Sequence, residues 1–135
     1  APHQQKQIDR LESVQKKAAR FVTNCWLREE GVMTNLLTNL KWDSLKTRRE
    51  KARLTMLYKA THGMVDIQLP EDLSPMLSTN TRHYHPLKYR PMTCNTNYYK
   101  GTFFPSTVKL WNSLPATILD QPNIVKFKAE LERFY

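Results

Sequence analysis

Apolar residues recur at three- and four-residue steps through the first part of the chain, and this spacing constrains the fold more than any other feature. Between residues 5 and 26 the recurring positions are Ile8, Leu11, Val14, Ala18, Phe21, Val22 and Cys25. At about 100° per residue, these positions fall within an arc of roughly 140° on a helix. The spacing predicts a long amphipathic helix whose apolar face must pack on something, while its opposite, mostly basic face is left for solvent or phosphate.

Later segments carry helical signals as well. They predict helices over about 32–40, 45–62, 104–113 and 123–134. Asp43 or Ser44 can cap the helix that starts at residue 45, and Gly63 can end it in the left-handed conformation. Pro105 is suited to the first turn of a helix because its missing N–H has no partner there anyway. The fold class predicted from these segments is mainly α.

Prolines and turn residues divide the chain into three parts. Residues 1–63 are expected to form a basic helical domain, 64–103 an extended linker or arm, and 104–135 a C-terminal helical hairpin that packs on the first part. The linker holds prolines that forbid a continuous helix, namely Pro70, Pro75, Pro86 and Pro91. We therefore expect a small helical bundle with an extended basic and aromatic arm, or a short hairpin, before the two C-terminal helices.

The charge balance points to a polyanionic partner. The chain carries 21 Lys and Arg against 12 Asp and Glu, a net charge of +9. Between Asp72 and Asp120 there is no acidic residue at all. Such an excess favours nucleic acid as the partner, with an anionic membrane surface second. No apolar run approaches the roughly 18 residues of a membrane span, so we expect no membrane partner.

The rest of the composition concerns the setting of the chain. Cys25 and Cys94 do not make a disulfide framework, so reduced thiols are the default. No charged-then-apolar leader is visible, and we expect a nuclear or cytoplasmic protein rather than a secreted one. The sequence opens on Ala1 and enters a helical pattern within a few residues, which favours a piece of a longer polypeptide.

Eleven residues are predicted to contact nucleic acid. Those predicted to contact phosphates are Lys16, Lys17 and Arg20 on the first helix and Arg48, Arg49 and Arg53 on the third. Those predicted to hold unpaired nucleotides are Arg82, Tyr84, Lys88, Tyr89 and Arg90, because rings stack on bases while cations follow the backbone. Two alternatives stay open: the charges form an ordinary solvated face, and several rings belong to the core, as is expected of Phe103, Phe104 and Trp111.

No catalytic constellation is present in the sequence. The adjacent acids Glu29-Glu30 and Glu71-Asp72 point apart more often than together, and neither Asp-Asp nor Asp-x-Asp occurs. With three glycines, no Gly-rich phosphate loop can be built. His83, His85 and Cys94 form a thin zinc candidate, which is disfavoured because zinc usually takes four ligands. We therefore expect no enzyme activity from this chain alone, no metal, no cofactor and no small-molecule substrate.

The order of several short motifs resembles the C-terminal part of non-LTR retrotransposon reverse transcriptases, most closely those of CR1- and jockey-like elements of animals. The motifs are LESVQKKAARFV at 11–22, LKWDSL at 40–45, RREKARL at 48–54, YK at 58–59, HG at 62–63, FFPST at 103–107, WNSLP at 111–115 and FK at 127–128. Together they cover almost the whole chain from about Ile8 onward. Each motif alone is short, and the ordered set is what carries the likeness.

The resemblance implies a segment at or beyond the thumb of an RNA-directed DNA polymerase. The metal-binding aspartates of such enzymes lie upstream, in the palm, so no catalytic residue is carried over to this chain. The implied function is to grip template RNA or an RNA–DNA duplex beside the upstream polymerase domains. The alternative is a structural module whose apolar stripes pack on the polymerase core or on a partner protein, with charge serving solubility alone.

Overall fold

The computed structural model describes residues 4–76 and 84–135. The elements in those residues are α1 (Gln5–Thr23), α2 (Val32–Asn39), α3 (Leu45–Thr61), α4 (Asn97–Lys100), α5 (Phe103–Asn112), α6 (Ala116–Leu119) and α7 (Ile124–Phe134). No strand occurs in the described part of the chain, and the prediction of a mainly helical fold is confirmed. Across the same residues, no helix is long and apolar enough to cross a membrane.

The chain divides into two compact units, Ala1–Arg49 and Glu50–Tyr135. The division falls inside α3, whereas the sequence suggested a boundary after that helix, at residue 63. The first unit therefore holds α1, α2 and the first turn of α3. The second holds the remainder of α3 and all four later helices.

In the first unit, α1 packs on α2 and on the start of α3 through a narrow and partly polar stripe. Gln15 and Ala19 are the buried residues of α1, and the Gln15 amide donates to the Asp43 carbonyl at 2.8 Å. The Glu12 carboxylate, one turn earlier, accepts hydrogen bonds from the backbone N–H groups of Leu45 and Lys46 at 3.3 and 2.7 Å. These contacts fix the start of α3 on the side of α1.

Most of the predicted apolar face of α1 is open to solvent. Leu11, Val14, Phe21 and Val22 are all exposed, so within the described chain this face is largely uncovered. The reason is that α2 and the start of α3 cover the arc that contains Glu12, Gln15 and Ala19, and the apolar arc lies beside it. Periodicity identifies a face of a helix, but it does not identify the side on which the neighbouring helices lie.

Local capping sets the C-terminal end of α1 and the N-terminal end of α3. Asn24 takes the left-handed conformation (φ 49°) just after α1, and the Cys25 N–H then bonds back to the Arg20 carbonyl at 3.2 Å. This pattern closes the free carbonyls of a helix end and turns the chain sharply. At the start of α3, the Ser44 hydroxyl accepts from the Thr47 N–H at 3.1 Å, which confirms Ser44 as a cap.

The second unit is built on an aromatic core. Tyr58 from α3, Trp111 from α5 and Phe127 from α7 are each buried, and their rings stack with centroids 4.6 Å (Tyr58 to Phe127) and 5.7 Å (Trp111 to Phe127) apart. Aliphatic residues fill the spaces around these rings, namely Leu54, Leu57, Leu114, Ile118, Leu119 and Leu131. The buried rings also bond outward, because Tyr58 Oη donates to the Gln121 carbonyl and Trp111 Nε1 donates to the Leu87 carbonyl.

The segment predicted as an extended arm lies against this core where the structure describes it. An isolated antiparallel bridge joins Pro75 to Tyr89. The Asn112 side chain brackets Tyr89, accepting from its N–H at 3.1 Å and donating to its carbonyl at 2.7 Å. The short helix α4 also falls within the predicted linker. Neither α4 nor α6 has a sequence signal that periodicity can detect, since each spans four residues.

Candidate nucleic-acid interface

The first helix presents a basic face to solvent. Lys16 and Lys17 are exposed, and Arg20 is half-buried. Lys16 and Arg20 are four residues apart and Lys17 and Arg20 three, so these pairs are neighbours on the helix surface. Within residues 4–76 and 84–135, neither lysine has a carboxylate partner. Their ammonium groups are therefore available to an external anion.

The start of α3 adds a second group of cations in the same unit. Arg48 is exposed, while Arg49 is half-buried and lies 3.9 Å from the Glu12 carboxylate. Glu12 lies one helical turn before Lys16 on α1 and also contacts the first turn of α3. It therefore links the basic face of α1 to the start of α3. The carboxylate offsets part of the positive charge of Arg49. Arg48 is therefore the more available of the two cations for an external anion.

Arg53 belongs to the second unit and has a structural contact there. Its Nη1 donates to the Ser106 hydroxyl of α5 at 3.0 Å, and its side chain is half-buried. The same unit holds Lys51, which is buried and forms an ion pair with Glu132. These two basic residues of α3 are therefore engaged within the protein, in contrast to the exposed lysines of α1.

The predicted nucleotide-holding residues differ among themselves. Tyr89 is half-buried and packs on Trp111, with ring centroids 6.3 Å apart. Burial raises the pKa of its hydroxyl, against a smaller opposing effect of a hydrogen bond with Thr61. This is the packing role that the sequence left open as the alternative. Tyr84 and Lys88 are half-buried and Arg90 is exposed. Arg82 lies outside the described residues.

A groove at the C-terminal end of α1 is a feature that the sequence did not single out. Val14, Lys17, Ala18 and Phe21 line it at successive three- and four-residue steps of one helix stripe, and Arg20 lies beside them. After the turn at Asn24 the chain adds Trp26 and Arg28 to the lining. The groove has a volume of about 590 Å³, and all of its lining residues belong to the first unit.

Two large rings stand at this groove with most of their surface in water. Phe21 is 78% exposed and Trp26 is 62% exposed. Trp26 lies two residues after Asn24, the residue that turns the chain at the end of α1. Its indole N–H donates to the Asn24 side-chain oxygen at 3.4 Å, a contact with the turn itself. The signal in the sequence that could have indicated the groove is Asn24, which permits a left-handed turn two residues before Trp26.

Other clusters of polar groups have local partners. His85 Nε2 lies 3.3 Å from Asp120, and its Nδ1 accepts from the Leu87 N–H, which places the proton on the nitrogen that faces the carboxylate. A second hollow of about 410 Å³ lies between α3 and α7, beside the Lys51–Glu132 pair. Across residues 4–76 and 84–135, no three His, Cys, Asp or Glu side chains are grouped as a metal site.

Comparison with known protein families, with characterised proteins and with solved structures finds no match to this chain. The resemblance to non-LTR retrotransposon reverse transcriptases therefore depends on the sequence motifs alone and stays a prediction. What supports a function is the distribution of charge and aromatic surface in the first unit.

Proposed function

We propose that the chain is a nucleic-acid-binding segment of a non-LTR retrotransposon reverse transcriptase, which grips template RNA or an RNA–DNA duplex and has no catalytic centre of its own. The observation that carries the proposal is the pair Lys16 and Lys17, exposed on α1 without a carboxylate partner in the described chain. Arg20 on the same helix and Arg48 on the contacting helix α3 extend the basic surface. Arg82, Tyr84, Lys88 and Arg90 stay predictions.

The physical reason is counterion release. A duplex carries condensed cations along its phosphates, and each phosphate that a lysine or arginine neutralises sets some of them free. Affinity then falls linearly with salt on a logarithmic scale, with a slope of about −0.9 per phosphate contact for duplex and about −0.7 for single strands. An exposed lysine contributes to this slope only if its ammonium group is not already neutralised within the protein.

Filter binding across a salt series tests the proposal with the double variant Lys16→Gln, Lys17→Gln. The slope for an RNA–DNA duplex is expected to fall by up to about 1.8, since two contacts are removed. The double variant Lys100→Gln, Lys109→Gln is the matched control, because it removes the same charge from exposed lysines of the second unit. Equal effects of the two pairs, or an affinity that salt does not change, would contradict the proposed contact surface.

Membership of the reverse transcriptases has a separate test. The coding sequence upstream of Ala1 is expected to specify a palm strand of the Tyr/Phe-Ala-Asp-Asp type in the same reading frame. An initiator methionine directly before Ala1, with no polymerase encoded upstream, would contradict that part of the proposal. Nucleic-acid binding would then be tested by the salt series alone.

The alternative function is a module that packs on the polymerase core or on a partner protein. The observation in its favour is the uncovered apolar face of α1, which includes Leu11 and Val22. Charge reversal at Arg48, which is exposed and has no ion pair in the described chain, separates the two functions. Loss of RNA retention with unchanged folding supports the first, whereas lost association with the polymerase core supports the second.

A further inference from the structure

We propose that the groove at the C-terminal end of α1 binds an unpaired stretch of RNA or DNA, with bases stacked on Phe21 and Trp26 and phosphates held by Lys17, Arg20 and Arg28. The inference rests on the proposed function and deepens it, since it names a single-strand site made of other residues than those predicted to hold nucleotides at 82–90. The site belongs wholly to the first unit.

Exposed aromatic surface is the first argument. Phenylalanine and tryptophan rings bury 150–250 Å² each in typical cores, so two rings left mostly in water at one groove need a reason. Surface of this kind marks a place where a partner binds. A nucleobase is a fitting partner because every base offers a flat face, and stacking on an aromatic ring contributes about 1–3 kcal/mol per base.

The charge of the lining is the second argument, and it selects the partner. Three cations line the groove, Lys17, Arg20 and Arg28, and no acidic residue lines it. An apolar groove for a polypeptide helix has no need of this excess. A single strand supplies both features at once, because it carries a phosphate for every base.

The side chains at the groove are also placed for such a ligand. The left-handed turn at Asn24 brings Trp26 back beside α1, and the Asn24 amide oxygen holds the indole N–H. Arg20, which is half-buried, adds its positive charge to the lining of the groove. The volume of about 590 Å³ falls within the range of about 300–1,000 Å³ typical of ligand pockets.

Fluorescence of Trp26 reports the stacking directly. In the Trp42→Phe background, addition of a short oligouridine or oligothymidine is expected to quench the emission, since Trp111 is buried in the core and Trp26 is exposed. Phe21→Ala and Trp26→Ala are each expected to weaken single-strand binding about five- to 150-fold, which is the loss of one stacked base. Tyr98→Ala is the matched control, because it removes an equally exposed ring from the second unit.

Substitutions that keep or remove the aromatic ring of Phe21 test the chemical nature of the partner. Phe21→Tyr keeps an aromatic face and is expected to retain single-strand binding, whereas Phe21→Leu keeps apolar surface and is expected to lose it. Binding of a blunt RNA–DNA duplex is expected to change by less than about twofold in every groove variant, since phosphate contacts alone carry it. Circular dichroism is expected to show that each variant is folded, because both rings are exposed and their replacement removes little packing.

The outcomes separate this inference from the proposed function. Single-strand affinity that is unchanged in Phe21→Ala and Trp26→Ala overturns the stacking site, while the salt-dependent duplex binding of the wild-type chain still supports the proposed function. Equal single-strand affinity of Phe21→Leu and Phe21→Tyr overturns it as well and favours a groove for polypeptide. Wild-type protein that binds neither single strand nor duplex contradicts both.

Discussion

Replacing Glu12 by alanine is expected to loosen the junction between α1 and α3. The Glu12 carboxylate accepts from the first two N–H groups of α3, those of Leu45 and Lys46, and lies 3.9 Å from Arg49. Loss of a side-chain cap costs about 0.5–2 kcal/mol, and loss of a negative charge at a helix N-terminus about 0.3–1 kcal/mol. The ion pair with Arg49 is partly exposed and adds little. We expect about 2 kcal/mol in all, which corresponds to roughly a thirtyfold change in an equilibrium constant.

Amide hydrogen exchange measures this effect at the two donors themselves. Protection of the Leu45 and Lys46 amides is expected to fall by roughly one to two orders of magnitude in Glu12→Ala, and by less in Glu12→Gln, whose amide oxygen still accepts. Glu30→Gln removes the same charge from an exposed position of the same unit and is expected to leave both amides unchanged. Protection that survives in Glu12→Ala would show that α3 is capped by other groups and would refute the reasoning.

Two further predictions concern the second unit. Trp111→Phe removes the N–H that donates to the Leu87 carbonyl at 2.8 Å, and is expected to lower the free energy of unfolding by about 1–3 kcal/mol in a denaturant titration; an unchanged midpoint would argue against that bond. Burial, with the nearby Glu50 carboxylate, raises the pKa of Tyr135 from its usual 10.0 to about 12. Because the folded state binds this proton more tightly, the stabilisation is complete below pH 10 and is lost as the pH rises towards 12, a loss that Tyr135→Phe is expected to abolish when the two proteins are unfolded in parallel.

The helices were predictable from the sequence because their signals are local. Spacing and caps gave the predicted segments 5–26, 32–40 and 45–62, which differ from α1, α2 and α3 by three residues or fewer at each end. Packing was less predictable, because it depends on which side the neighbouring helices occupy. Gln15 is a buried residue of α1 and donates a hydrogen bond to the Asp43 carbonyl. The apolar pattern of the sequence cannot predict this polar contact.

The candidate site shows the same division between local and distant information. The cations of α1 were identified from charge alone, and Lys16 and Lys17 are exposed as such a surface requires. Which arginines have internal partners was not predictable, since Arg53 meets Ser106 across a long stretch of chain. The position of Trp26 depended on the conformation of a single residue, Asn24, which an asparagine permits without dictating.

The second unit has a buried aromatic core that the described part of the first unit lacks, although Tyr98 and Phe134 of the second unit are exposed as well. In the second unit Tyr58, Trp111 and Phe127 are buried and stacked on one another, which is the arrangement that stabilises a fold. In the first unit Phe21 and Trp26 are exposed, although burying a ring of this size contributes about 1.5–3 kcal/mol. A domain is stable by only about 5–15 kcal/mol. Leaving two such rings uncovered therefore forgoes a substantial part of the stability that their burial would contribute. We therefore expect Phe21 and Trp26 to contribute more to binding than to stability, and the aromatic core of residues 50–135 to contribute most of the stability of its unit.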